Sequence, residues 1–193
     1  MLPRALQHHA LPRTRGAGLA PVGVIETPRL LLRPARAEDL GDIHKVFSDP
    51  QAMRYWDRPP YEDITVTAKL LSGLMNQDPE TSFDLVVELD GVCIGKAGMW
   101  RTPEIGYILH PDHWGKGLAF EALSAFLPRA FERFDRELVF KAECDPRNLA
   151  SGALLRKLGF RRTRQEKANF GYGDVEWCDT DYYEFIRPEL RIC

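Results

Sequence analysis

The stretch from Glu104 to Ala119 constrains this chain more than any other: Glu104-Ile105-Gly106-Tyr107-Ile108-Leu109, then His110-Pro111-Asp112-His113-Trp114, then Gly115-Lys116-Gly117-Leu118-Ala119. An apolar strand, a Pro/Asp turn and a glycine pair run straight into an amphipathic helix, a local shape that presents free backbone N–H groups to an anion. A phosphate-bearing ligand is the first expectation. A P-loop fails because Lys116 is followed by Gly117 and Leu118, with no hydroxyl to hold magnesium. A dinucleotide fingerprint fails because Phe120 stands where a third glycine is needed. An ordinary turn remains open for the Gly-Lys-Gly alone, so the rest of the chain has to decide.

With 193 residues the chain can bury one good core and is short for two. Its 44% apolar and 28% charged composition is that of a soluble globular protein. A formal net charge of -2 supplies no overall basic field, so neither nucleic acid nor a membrane surface is expected as a partner. No run approaches the ~18 apolar residues of a spanning helix. Cys93, Cys144, Cys178 and Cys193 show no paired spacing and read as buried free thiols in a reducing compartment, hence a cytoplasmic expectation. Residues 1–24 contain no acid and are broken by Pro3, Pro12 and Pro21. They read as a flexible extension or a start-site artefact rather than a targeting peptide, leaving one domain over 25–190.

From Thr27 to Pro34 a short apolar strand is ended by proline. Glu38 to Ser48 places Leu40, Ile43, Val46 and Phe47 at helical spacing, and Tyr61 to Asn76 puts Ile64, Ala68, Leu71, Leu74 and Met75 on one face. Between them lies an aromatic, charged loop holding Tyr55 and Trp56. Phe83–Leu89 and Val92–Trp100, joined by Asp90-Gly91, predict a hairpin. After the glycines a wide apolar stripe runs from Leu118 to Phe134, and Pro128 should bend that helix rather than end it. Leu138–Cys144 alternates as a strand, a helix closes at Gly159, and Phe160–Phe170, a Gly171-Tyr172-Gly173 turn and a strand near Asp181–Arg187 predict a closing antiparallel pair.

The run Trp114-Gly115-Lys116-Gly117-Leu118-Ala119 resembles the acyl-CoA pyrophosphate loop of the GNAT N-acyltransferases, whose pattern is Arg/Gln-x-x-Gly-x-Gly/Ala. Trp114 replaces the usual Arg or Gln, which resembles the branch that includes the ribosomal-protein acetyltransferases RimJ and RimL, as does the Thr27-Pro28-Arg29-Leu30 opening. Asn148-x-x-Ser151, followed by Leu158-Gly159-Phe160, resembles the second signature of the family in the right order and context. The resemblance covers about Ile25 to Arg187. It implies an α/β (α+β) GNAT fold: a mixed, mostly antiparallel central sheet flanked by helices, in which Glu104–Leu109 and Leu138–Cys144 form a splayed parallel pair. The long helix predicted between those strands is the crossover that a parallel pair requires.

The resemblance further implies acetyl-CoA as cosubstrate, no metal, and an amine acceptor. Backbone groups of Tyr107, Ile108 and Leu109 would pair with the pantetheine arm. N–H groups from Gly115, Lys116, Gly117, Leu118, Ala119 and Phe120, beside Trp114, would hold the pyrophosphate, the glycines being needed because a β-carbon would obstruct it. The Lys116 side chain is equally a solvated lysine. An alkylamine has a pKa near ~10, so a carboxylate base is useful. Glu104, at the head of the strand lining the splay, is that candidate, against an exposed strand-end glutamate. Many relatives protonate the leaving thiolate with a tyrosine four residues beyond the Ser151 position; Leu155 stands there. Ser151 is the replacement, in competition with a helix-cap role, and Asn148 would fix a CoA amide or a water. Tyr55 and Trp56 read either as a lid over the core or as an acceptor wall, and Asp181-Tyr182-Tyr183 either as its border or as edge packing. His110-x-x-His113 lacks a third metal ligand and reads as loop. The reaction expected is direct transfer to a small-molecule amine or a peptide N-terminus. The alternative, motivated by Leu155, is a non-catalytic acyl-CoA sensor or scaffold. The acceptor's identity and the oligomeric state, with a homodimer among the options, stay open.

Overall fold

The computed structural model describes residues 23–188. Residues 1–22, with most of the inferred extension, and residues 189–193, with Cys193, lie outside the described residues. The elements follow as β1 (Ile25–Glu26), β2 (Leu30–Arg33), α1 (Leu40–Ser48), α2 (Pro50–Met53), α3 (Ile64–Met75), β3 (Phe83–Leu89), β4 (Val92–Arg101), β5 (Glu104–Leu109), α4 (Leu118–Arg133), β6 (Val139–Cys144), α5 (Leu149–Leu158), β7 (Arg161–Tyr172) and β8 (Glu176–Ile186). The strands form one sheet in the order β1-β2-β3-β4-β5-β6-β8-β7. Every neighbouring pair is antiparallel except β5 with β6.

Alternation along the strands sorts side chains into two cores. Ile105 and Leu109 of β5, with Phe140 and Ala142 of β6, join Leu123, Phe126 and Phe131 of α4 and Leu155 of α5. Phe131 stacks on Phe140 with ring centroids 3.8 Å apart, pressing the crossover helix onto β6. The opposite face holds Ile108 of β5, Val86 and Cys93 against Ile43, Val46 and Phe47 of α1. Helices α4 and α5 therefore cover one face of the sheet, and α1 to α3 cover the other. Burying one such phenylalanine contributes about 1.5–3 kcal/mol, so each face holds its helices firmly.

The predicted hairpin at Asp90-Gly91 is present, and α4 runs through Pro128 without a break. Three local expectations need correction. Helix α3 begins at Ile64, where the Asp63 carboxylate accepts the Thr65 N–H, and it buries Thr67, Leu71 and Leu74. Ile64 and Met75 are exposed instead, because the helix is rotated so that the Thr67 hydroxyl meets His44 Nδ1 at 2.8 Å. The opening strand is two short strands, β1 and β2, separated by the Thr27–Arg29 turn. Tyr172 is strand rather than turn: it is buried, with its hydroxyl donating to the Met53 carbonyl at 2.9 Å, so the reversal falls between Tyr172 and Glu176.

Candidate active site

Gly115 and Gly117 have φ of +71° and +75°, in the left-handed region that favours glycine. A β-carbon on Gly115 would meet nothing within 4 Å, and one on Gly117 only Arg29 Nη2 at 3.7 Å. The protein itself thus requires glycine here for backbone conformation, and the space in front of the loop is open. Gly117 is the N-cap of α4 and offers no side chain; the first helical bond runs from the Glu121 N–H to the Gly117 carbonyl. The N–H groups of Leu118, Ala119 and Phe120 therefore lack intrahelical acceptors and stand at the positive end of a 16-residue helix. The Lys116 side chain is exposed.

Trp114 ties this loop to the sheet, its indole Nε1 donating to the Leu109 carbonyl at 2.8 Å. The register with β4, in which the His110 N–H donates to the Ile94 carbonyl, pairs the backbone groups of Ile108 with Lys96, so of the three proposed pantetheine partners Tyr107 and Leu109 face the β6 side, the Leu109 carbonyl already receiving the Trp114 indole. A second tie escaped sequence reasoning. The Glu121 carboxylate accepts from the Thr27 hydroxyl at 2.6 Å and from Arg29 Nε at 2.7 Å, and Arg29 Nη1 donates to the Lys116 carbonyl at 2.9 Å. The Thr-Pro-Arg opening is thus a brace for the glycine loop, and it places a guanidinium beside it. The only signal was an acid in the first turn of α4, which reads equally as dipole compensation. His110 and His113 serve the loop as well. His110 Nδ1 accepts the Asp112 N–H, and burial followed by the charge of Lys116 pushes His113 below the ordinary imidazole range. Among the described residues no group of three or more His, Cys, Asp or Glu could hold a metal ion.

Strands β5 and β6 share a single register pair, Glu104 with Lys141, supported by the Lys141 N–H donating to the Pro103 carbonyl at 2.9 Å. Beyond that pair they diverge. Glu104 is half-buried and shares its face with Gly106 and Ile108, the α1–α3 side of the sheet. On the same face of β6, two residues past Lys141, stands Glu143, for which the sequence suggested no role beyond its place in the strand alternation. Partial burial, then the charge of Glu104, raises the Glu143 carboxyl above the usual range, although its side chain keeps access to solvent. The second cause places the Glu104 carboxylate near enough to act on Glu143 across the splay.

Asn148, expected to face CoA, caps α5: its Oδ1 accepts the Ser151 N–H at 3.1 Å. Ser151 is thereby freed of the cap role weighed for it. Its hydroxyl meets the Tyr107 hydroxyl at 2.6 Å. Burial raises the Tyr107 phenol well above the ordinary tyrosine range, the Ser151 hydrogen bond opposing it. Leu155 is 1% exposed and belongs to the core, so no hydroxyl comes from that position. Cys93, Cys144 and Cys178 are buried and unbridged, and desolvation raises the pKa of each thiol.

Tyr55 and Trp56 part company. Trp56 packs edge-on against Phe47 and stands 3.9 Å from where a Gly106 β-carbon would lie, on the face of Glu104. Tyr55 instead lies beside the guanidiniums of Arg54 and Arg147, at 5.3 Å and 5.9 Å from its ring centroid. Asp181-Tyr182-Tyr183 is likewise split by strand alternation. Tyr183 lies in the α4–α5 core and Asp181 pairs with Arg162, whereas Tyr182 is the cross-strand neighbour of Glu143 and donates to Glu166 at 3.0 Å.

Three comparisons bear on this geometry. An N-acetyltransferase of Bacillus subtilis (strain 168), YnaD, is 28% identical over 170 residues, covering 86% of this chain and 98% of that protein. The spermidine N(1)-acetyltransferase of Escherichia coli (strain K12) is 31% identical over 138 residues, covering 67% of this chain and 71% of that protein. RimL, a ribosomal L7/L12 alpha-N-protein acetyltransferase solved in complex with coenzyme A, shares the fold with a TM-score of 0.74 at 22% identity, covering 85% of this chain and 98% of that one. Among the described residues no helix is long and apolar enough to cross a membrane. The acetyltransferase (GNAT) domain family matches residues 29–161, a span that contains the glycine loop, the splayed pair and the start of α5, and the chain belongs to the GNAT acetyltransferases.

Proposed function

We propose that this GNAT acetyltransferase transfers the acetyl group of acetyl-CoA directly to a primary amine, in a ternary complex and without a covalent enzyme intermediate. The observation that carries the reading is the juxtaposition at the splay. Orphaned N–H groups of Leu118, Ala119 and Phe120 lie at one end of the α4 crossover, and the carboxylates of Glu104 and Glu143 lie on the opposite face of the two strands it connects. The pyrophosphate lies on those N–H groups together with Gly115, Lys116 and Gly117, near the Arg29 guanidinium. The pantetheine arm enters between β5 and β6 along Tyr107 and Leu109, bringing the thioester to the gap that opens beyond Glu104. The amine approaches from the Trp56 side, past Gly106, whose missing side chain leaves room. Glu104 takes the amine proton, directly or through water, and Glu143 shares the resulting charge balance.

A small-molecule amine and a peptide N-terminus both present the required nucleophile. Two of the three proteins compared above are named for one of each, spermidine and ribosomal L7/L12. The test is CoA release in the presence of acetyl-CoA and a panel of amines and N-terminal peptides. Amine-dependent release that falls about 10²–10⁴-fold in Glu104→Gln, with acetyl-CoA binding retained, supports the mechanism. Undiminished turnover in that variant removes Glu104 from it, and tight acetyl-CoA binding without turnover on any amine favours the sensor reading instead.

A further inference from the structure

The leaving-group end of the site contains an arrangement that the sequence did not disclose. The usual tyrosine position on α5 is occupied by Leu155, which is core. A phenol nevertheless reaches the first turn of α5 from across the splay. Tyr107 of β5 places its hydroxyl 2.6 Å from Ser151 Oγ, with the Ser151 carbonyl farther off at 3.4 Å. Asn148 has already taken the capping duty, and besides Tyr107 the Ser151 hydroxyl stands within hydrogen-bonding reach of the Cys144 thiol. Resting on the acyl-transfer reading above, we propose that Tyr107 is the positioning residue of the leaving-group end: its O–H donates to Ser151 Oγ, so that the Ser151 proton turns from the Cys144 thiol to the CoA sulfur when CoA is bound.

The direction of that bond follows from the chemistry of the two hydroxyls. A phenol is a much stronger acid than an aliphatic alcohol and so the better donor and poorer acceptor of the two, and burial keeps it protonated. A serine oxygen that accepts one bond becomes a better donor in the next, the cooperative strengthening of a hydroxyl chain. The step balances without a proton leaving either hydroxyl. The amine nitrogen forms the C–N bond, its proton goes to the carboxylates, and the C–S bond breaks with its electron pair on sulfur. The Ser151 O–H stabilises that thiolate, which later takes a proton from solvent. A thiol of pKa about 8.5 needs only such stabilisation to leave at neutral pH.

The test reads the CoA thiol itself. Titration of the thiolate absorbance of CoA bound to the wild type, Tyr107→Phe, Ser151→Ala and the double variant gives the thiol pKa in each complex. Loss of the phenol should raise it by about half a unit to one unit. Ser151→Ala should raise it at least as far, and the double variant no further than Ser151→Ala, because Tyr107 acts only through Ser151. Tyr107→Phe should also lower kcat about tenfold while KM for acetyl-CoA stays within about twofold, a split that a packing defect would not give. Replacing Tyr107 with 3-fluorotyrosine, a near-isosteric and stronger donor, should lower the thiol pKa, which keeps the test independent of whether the phenylalanine variant folds. Equal thiol pKa values in all the complexes, or a Tyr107→Phe effect that persists without Ser151, overturn the proposal. The wild type's turnover is read separately: a thiol shift without turnover on any amine leaves the hydroxyl pair standing and removes the catalytic reading, and turnover without a thiol shift does the reverse.

Discussion

The two faces of the sheet at the splay are built in opposite ways. On the α4–α5 face the groups proposed to face the ligand are mostly backbone, held by the local ties of Trp114 to Leu109 and Asn148 to Ser151 and by the long-range tie of Arg29 and Thr27 to Glu121. On the α1–α3 face they are side chains on separate strands, Glu104, Glu143 and Tyr182, with Trp56 arriving from a loop after α2. The first construction has one conformation and suits one ligand that every member of a family must hold. The second can change chemistry at any position without disturbing the backbone, which suits an acceptor that differs between relatives.

The largest effect that would break this contrast is at Gly117. A β-branched residue at φ +75° is forced out of a conformation it strongly disfavours, and the N–H groups at the head of α4 move with it. Gly117→Val should remove the thermal stabilisation by CoA, or raise the CoA dissociation constant about a hundredfold, as read by calorimetry. Glu104→Gln should bind CoA as the wild type does. If the valine variant still binds CoA normally, the cofactor face is not the rigid construction described.

A smaller effect sharpens the other side. Like charge from Glu104 is one of the two causes that raise the Glu143 carboxyl, so Glu104→Gln should bring Glu143 back toward the ordinary glutamate range without reaching it, since partial burial stays. Carboxylate NMR titrations of the two proteins check this directly. The sign carries into function. If Glu143 supports the residual turnover of the variant, the acidic limb of its pH profile moves to lower pH, because the base is deprotonated earlier on the pH scale. A limb that stays in place assigns the residual rate to water.

How legible each face was follows from the same difference. The glycine loop, the hairpin, the crossover and the Gly159 stop, at φ +98°, are local demands on backbone conformation, so contiguous residues announce them. The brace between Thr27-Pro28-Arg29 and Glu121 spans more than ninety positions and was invisible. The Glu143 carboxylate and the Tyr107 hydroxyl went unremarked for another reason. Each sits in an alternating strand whose pattern says which face it takes, but not what stands across a gap where the ladder has stopped. The pattern also misled on α3, where Ile64 and Met75 outscored Thr67 in apolarity but not in what α1 could offer, the His44 ring.

The smallest expected effect concerns that brace. The Glu121 side chain is 15% exposed and Arg29 is 46% exposed, so the pair is partly screened and contributes on the order of 1 kcal/mol at most. Burial pushes the Glu121 carboxyl up, but hydrogen bonds from Thr27 and Arg29 outweigh it, and the net shift is downward. A carboxyl depressed in the folded state contributes stability that is fully present above its unfolded value, near ~4.3, and is lost as pH falls through the folded value. The urea midpoint of Glu121→Gln should therefore lie slightly below that of the wild type at pH 7, with the gap closing as both are acidified toward pH ~3. CoA affinity at pH 7 should fall only a few-fold, because the glycines and the head of α4 remain. A midpoint gap that does not change with pH would mean that Glu121 braces the loop through its shape and neutral hydrogen bonds, and a CoA affinity that falls as far as in Gly117→Val would mean that the loop has no conformation of its own without the clamp.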